Sequence, residues 1–233
     1  MDNVEMANND RNKIKRNKPI LIRYPFLRAL YLFIVSWLIM LTVLLIIYFA
    51  WLREWQMTWG ATSEEVNRYM AGDELLVEPE FNTTRVVEIN APPEEVWPWL
   101  VQMGYKRGGF YNFDHLDNAG IPSADRIIPE YQNLKVGDLI LSLLQVARIE
   151  PKKSMLWVFL EGAGGWENAT WSWGLYKTKD GNTRLVTRLR QKYTSNSIQE
   201  IIMWRFQEIT EIFMMRICLL GIKKRVEENF NKE

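Results

Sequence analysis

The sequence has one cysteine, Cys218, and one histidine, His115, in 233 residues. A single thiol excludes an internal disulfide, and one Cys with one His cannot assemble a Cys/His zinc site. No G-x-S-x-G segment occurs, so the elbow that presents an acyl-transfer serine is missing. Charge of one sign is missing too: 29 Lys and Arg stand against 28 Asp and Glu, for a net charge of +1. Nucleic-acid recognition needs a basic stripe, so no nucleic-acid partner is expected. Nothing in the composition calls for a metal or a cofactor.

Apolar length is plentiful. Ala29 to Leu52 reads ALYLFIVSWLIMLTVLLIIYFAWL without a charged residue. At about 1.5 Å of rise per residue, this run can cross a hydrocarbon core of about 30 Å, which predicts one membrane-spanning helix over 29–52. Its polar members, Tyr31, Ser36, Thr42 and Tyr48, can hydrogen-bond within the helix or sit near its ends. The preceding tail, 1–28, is Asn-rich and basic, with Arg11, Lys13, Lys15, Arg16, Lys18, Arg23 and Arg28. It is expected to be disordered. Past the span the nearest basic residues are only Arg53 and Arg68. That asymmetry predicts a signal anchor in the cell membrane, with the N-terminus cytoplasmic and the C-terminal domain outside. The run is too long for a signal-peptide core, and no A-x-A-like site follows it. Eleven tryptophans are present. Trp51, Trp55 and Trp59, with Tyr48, suit the outer interface, and the rest point to a Trp-rich interior.

The remaining chain divides into a juxtamembrane linker, 53–80, and one globular domain, 81–233. In the linker, Thr62 and Glu65 form a capping-box pattern that predicts a short helix over Ser63–Met70. Thr83–Ile89 is β-branched and predicts a strand. Ala91-Pro92-Pro93-Glu94-Glu95 turns from that strand into a helix, with proline and acids in its first turn. Tyr105 to Leu134 is rich in Gly, Asn and aromatics and reads as a lid or portal, with a helical candidate over Ser123–Gln132. Strands follow at Asp138–Leu141, Gln145–Glu150, Met155–Leu160, Thr170–Lys177 and Thr183–Lys192. Asp180-Gly181 joins the last two as a hairpin. Trp171, Trp173 and Leu175 alternate with Thr170, Ser172 and Gly174, as expected for a sheet covered on one face. Arg184, Arg188 and Arg190 share a strand face and predict a solvated convex surface.

The covering element is expected at Ser197 to about Glu228, amphipathic at helical period. Ile198, Ile201, Ile202, Ile209, Ile212, Phe213, Leu219 and Leu220 fall on one stripe, with Arg205 and Arg216 inside it. Arg205 has Glu208 one turn on, whereas Arg216 has no acid at helical spacing. Arg216 either pairs with a carboxylate outside the helix or snorkels. Alternatively, its planar fork meets an acidic ligand head group.

One strand, short helices, several antiparallel strands and a long final helix is the order of a helix-grip domain. Trp59-Gly60-Ala61-Thr62, Gly72-Asp73-Glu74-Leu75, the segment Ala91–Gly104 and Gly108-Gly109-Phe110-Tyr111 resemble the START-like, polyketide-cyclase-like superfamily known as SRPBCC. They are similar in particular to its poorly characterised prokaryotic branch. Leu134-Lys135-Val136-Gly137-Asp138, Thr183-Arg184-Leu185 and Leu219-Leu220-Gly221-Ile222-Lys223 continue the resemblance, which covers about Trp59 to Glu227. It implies an α+β fold in which a curved antiparallel sheet wraps a long C-terminal helix around an apolar cavity. Members carry lipids or other hydrophobic molecules there, and some catalyse cyclisation or hydrolysis. By analogy of fold, the loop Gly108–Asp117 lies at the cavity mouth.

The expected function is therefore a membrane-anchored module that binds a lipid or other hydrophobic small molecule. Tyr105, Tyr111, Asp114, Trp157, Trp173, Arg205, Phe213 and Arg216 are the candidate ligand contacts. Trp157, Trp171 and Trp173 serve plain core packing equally well. The alternatives are a cyclase- or hydrolase-like enzyme using Asp114, His115 or Tyr111 as acid or base, or an envelope interaction module. The latter would dock a protein partner through Met203, Trp204, Met214 and Met215. His115 lacks a companion nucleophile, which favours a loop residue bonded to backbone over a general base. Gly162-Ala163-Gly164-Gly165 lies between strands and opens no helix, so it reads as a loop, not a phosphate cradle.

Overall fold

The computed structural model describes residues 24–163, 168–193 and 197–231. The chain falls into two compact units, Met1–Glu54 and Trp55–Glu233. The tail up to residue 23, and Gly164 and Gly165, lie outside the described residues.

In the first unit, α1 runs from Pro25 to Ile47, with proline in its first turn, where no amide is lost. A π-helical turn, Tyr48–Leu52, and α2, Arg53–Met57, follow. The hydroxyl of Thr42 donates to the Leu38 carbonyl at 2.8 Å, so its polarity is met within the helix. Among the described residues this is one helix long and apolar enough to cross a membrane.

The second unit is α+β. Its six strands are β1 Phe81–Ile89, β2 Leu139–Leu141, β3 Leu144–Glu150, β4 Ser154–Phe159, β5 Ala169–Lys177 and β6 Thr183–Gln191. All neighbours are antiparallel in the order β1-β6-β5-β4-β3-β2. The register shifts between Val146 and Arg148, and again between Leu139 and Leu141. Such irregularities bend the sheet and increase its twist. The β5–β6 connection closes as expected, with the Thr178 amide bonded to Asn182 at 2.8 Å and Gly181 at φ +88°.

Helix α3, Ser63–Asn67, carries the complete capping box: the Thr62 hydroxyl accepts from the Glu65 amide, and the Glu65 carboxylate from the Thr62 amide. It stops three residues before Met70 because Arg68 is already extended. Helix α4, Pro93–Val101, follows β1 directly. The stretch 123–132 is not helical apart from one 3-10 turn, Pro129–Tyr131, while the loop before it forms a short α5, Asp114–Asp117. The final helix, α6, spans Ile198–Phe230, with the Ser197 hydroxyl capping the Glu200 amide. It packs on the concave face of the sheet, with Met215, Leu219, Ile222 and Val226 against Trp99, Trp157, Trp173 and Leu185. This is the helix-grip architecture.

Two expectations need correction. The outer face of β5 and β6 is not solvated: Thr170, Ser172 and Arg188 are buried on it. The segment 62–76 covers them, and the Ser172 hydroxyl donates to the Ala71 carbonyl at 2.5 Å. Arg188 uses all its donors, to Thr84 Oγ1, the carbonyls of Glu65, Val66 and Arg68, and Asp73 Oδ2. It therefore caps the carbonyl end of α3 with positive charge. Arg184 binds Glu65 through two nitrogens, at 2.8 and 2.7 Å. Burial raises the Glu65 pKa, but hydrogen bonds from Arg184 and the Thr62 amide outweigh it and leave the carboxyl below its ordinary value.

The second correction concerns the phase of α6. Its buried face is Trp204, Glu208, Ile212, Met215, Cys218, Leu219, Ile222 and Val226. Ile198, Ile201, Ile202, Ile209, Phe213 and Leu220 are exposed. The helix has two apolar faces, and the covered one admits a glutamate because half-buried partners reach its carboxylate. Glu208 accepts from the Tyr193 hydroxyl at 2.9 Å and pairs with Arg205, while its carbonyl accepts from Gln56 at 2.8 Å.

Candidate ligand cavity

The loop after α4 becomes a wall of the cavity because its backbone is tied down. Gln102 donates to the Tyr111 hydroxyl at 3.0 Å and accepts from the Ile128 amide at 2.9 Å. Tyr111 in turn donates to the Trp99 carbonyl at 2.9 Å. Asp114 accepts from the hydroxyl of Ser123 at 2.5 Å and from its amide at 3.0 Å. Asn118 is buried and bridges the Lys106 amide to the Ile121 carbonyl. On the facing helix, a Cβ on Gly221 would stand 2.3 Å from the Tyr111 carbonyl, so only glycine lets helix and loop approach this closely. The segment read as a lid is thus largely a fixed part of the core.

Between α6, this loop and the sheet lies a cavity of about 270 Å³. Its apolar lining is Phe110, Leu141, Leu144, Phe159, Trp171, Leu189, Met214 and Met215. Phe110 stacks on Trp171 with ring centroids 6.4 Å apart, and Trp171 meets Trp157 edge-on at 5.1 Å. Asn112, Asp117, Gln207, Thr210 and Glu211 add polar groups, and Cys218 completes the lining. Behind Glu211 sits Arg85, wholly buried in β1 and ion-paired with it. The Oδ1 atoms of Asp117 and Asn112 and the Oε1 atom of Glu211 are buried without a hydrogen-bond partner. Burial, reinforced by the charge of Asp114, pushes the Asp117 carboxyl above its ordinary pKa, against the opposing pull of Asn112. Burial also pushes the Cys218 thiol up, which makes it a poor nucleophile.

The residues singled out in the sequence do not converge on this cavity. Asp114 spends both carboxylate oxygens on Ser123. His115 is exposed on α5. Tyr111 is buried with its hydroxyl bonded at both valences, and burial raises its pKa. Trp157 and Trp173 are core residues behind Trp171, and Tyr105 packs at the edge of the same core. Arg205 pairs with Glu208. Arg216 is exposed, its guanidinium 5.2 Å from the centre of the Trp59 ring, and Phe213 is exposed on the outer side of α6. Trp204 and Met215, expected on a docking face, are buried. What sequence reasoning missed is acidic: Asp117 and Glu211, with Asn112 beside them. The available signal was Arg85, a charge at the centre of a β-branched strand between Thr83-Thr84 and Val86-Val87, a place that demands a buried acid.

No protein-family profile matches the sequence, and no curated protein matches it. Among solved structures the chain is similar to a polyketide-cyclase-like protein from Corynebacterium glutamicum, 17% identical, over 65% of this chain and 94% of that one, with a TM-score of 0.37. It is also similar to a protein from Chromobacterium violaceum, 12% identical over 63% and 96%, with a TM-score of 0.37. A protein of the dynemicin biosynthetic locus is 14% identical over 62% and 48%, again with a TM-score of 0.37. These values add nothing to the topology, and the helix-grip fold rests on strand order and on the packing of α6.

Proposed function

We propose that this domain binds a small, mainly apolar molecule that carries a hydrogen-bond donor such as a hydroxyl or amine. The observation that carries the reading is an apolar-walled cavity whose lining holds buried acceptor atoms without a hydrogen-bond partner, on Asp117 and Asn112, beside the Glu211–Arg85 ion pair. An acidic head group would meet carboxylates there, so the reading departs from an arginine-bound acid. At about 270 Å³ the cavity is just below the usual range of about 300–1,000 Å³ for ligand pockets, which suits a single ring system or one short chain. With the span anchored in a bilayer, such a ligand would partition from the adjacent leaflet.

The test uses the full-length protein in nanodiscs, titrated with 1-aminoanthracene, a flat apolar fluorophore with one amine donor. Saturable binding of one molecule per chain, abolished by Thr210→Trp, which fills the cavity, is the expected result. Equal signals from the two proteins would refute the reading.

A further inference from the structure

The charges around the cavity do not balance. Glu211 is matched by Arg85 behind it. Asp117, in the same lining, has no ion pair among the described residues, and the charge that acts on it is another carboxylate's, that of Asp114. Facing it from α6, Cys218 is kept a neutral thiol by burial. Arg225 of the same helix is committed elsewhere: it donates to the carbonyls of Ala124 and Gly221 and lies 4.8 Å from the centre of the Tyr111 ring. An uncompensated carboxylate in apolar surroundings is costly, and the cost is relieved by taking up a proton or by meeting a cation.

The polar groups around Asp117 suit the cation. The Asn112 side chain hydrogen-bonds the Asp117 carboxylate and favours its charged form, yet each of the two keeps one buried oxygen, Oδ1, without a partner. The Thr210 hydroxyl, also in the lining, spends its proton on the Gln207 carbonyl at 3.0 Å, so to a ligand it can only accept. The wall therefore offers acceptors on Asp117, Asn112 and Thr210, together with one unmatched negative charge. A hydroxyl brings one donor and no charge, whereas a primary ammonium brings three donors and the missing positive charge. Phe110 and Trp171, two aromatic rings of the same lining, add attraction for a cation. Resting on the cavity reading above, we infer that the ligand is a primary amine bound as its ammonium ion, with Asp117 as counter-ion and the oxygens of Asn112 and Thr210 as further acceptors. One aromatic ring on a short aminoalkyl chain matches the volume of about 270 Å³.

The experiment uses the full-length protein in phosphatidylcholine nanodiscs and two molecules with one skeleton, 3-phenylpropan-1-amine and 3-phenylpropan-1-ol, each displacing 1-aminoanthracene at pH 7. The amine is expected to bind about tenfold or more tightly than the alcohol, because its hydrogen bond to Asp117 is charge-assisted on both sides. In Asp117→Asn that preference should vanish while the alcohol's affinity stays the same, and in Thr210→Trp neither molecule should bind. An alcohol that binds wild type as tightly as the amine, with both lost in Thr210→Trp, would overturn this inference and leave the cavity reading standing. An amine preference that survives Asp117→Asn would overturn it too, since the charge would then be met elsewhere. Absence of saturable fluorophore binding, or displacement untouched by Thr210→Trp, would bring down the cavity reading and this inference with it.

Discussion

Arg85 of β1 and Glu211 of α6 form an ion pair at the wall of the cavity, with the arginine side chain fully buried and the glutamate nearly so. Removing one partner of such a pair strands a charge in a place water cannot reach. Glu211→Ala is expected to lower stability by about 3–5 kcal/mol, while Arg85→Met with Glu211→Leu should cost much less, since neither charge remains. Urea unfolding of the full-length protein in detergent, followed by tryptophan fluorescence, checks both. Equal losses in the single and double variants would mean that packing around Arg85, not the charge, holds this wall.

Arg188 holds the segment 65–73 to the outer face of the sheet through three carbonyls and Asp73. In Arg188→Met those carbonyls lose their donor, and Asp73 keeps its ion pair with Arg190, at 2.9 Å, and the hydrogen bond from the Met70 amide. The expected loss is about 3–5 kcal/mol. Limited proteolysis should show cleavage near Arg68 or Glu74 before the sheet unfolds. Protection there equal to wild type would show that Arg184 and Ser172 suffice to hold the segment.

The sheet was legible in the sequence because its signals are local. The five later strands were placed within a residue or two by β-branched runs and by glycine turns, and the capping box at Thr62 fixed the start of α3. The site was not legible because it depends on which face of α6 is covered. Both faces are apolar, and the outer one is the more regular, so periodicity pointed to Phe213 and Arg216. The covered face carries Glu208 and, beside it, Glu211, acids that only pairing with Tyr193, Arg205 and Arg85 makes tolerable. The same phase error explains why Trp204 was expected outside. In the loop, Tyr111 was chosen, and its two neighbours, Phe110 and Asn112, line the cavity instead. Tyr111 at φ +59° turns its ring into the core, a backbone choice that residue type alone does not announce.

Gly221 sits where α6 crosses the loop, and a methyl group there would lie 2.3 Å from the Tyr111 carbonyl. In an exposed helix, Gly→Ala stabilises by roughly 0.5–1 kcal/mol. Here overpacking should reverse the sign and cost about 1–3 kcal/mol. Thermal unfolding of Gly221→Ala is expected to show a lowered Tm, with fluorophore binding weakened as the loop shifts. A raised Tm would mean that loop and helix can separate at little cost.

Asp117 supplies the pH dependence. Its folded pKa is raised above the ordinary 3.8, chiefly by burial. Between the unfolded and folded values the folded state binds more protons, so stability falls as pH rises through this window and the cost is complete above the folded pKa. Asp117→Asn removes that cost. The variant should therefore melt higher than wild type at pH 7, and the difference should vanish as pH falls toward 3.8. The same substitution should weaken amine binding, since a charge-assisted hydrogen bond worth about 1.5–3 kcal/mol becomes a neutral one. An affinity loss of about tenfold or more, alongside a gain in Tm, separates a ligand-facing carboxylate from a structural one. A structural Asp117 would lose stability on neutralisation and leave the fluorophore titration unchanged.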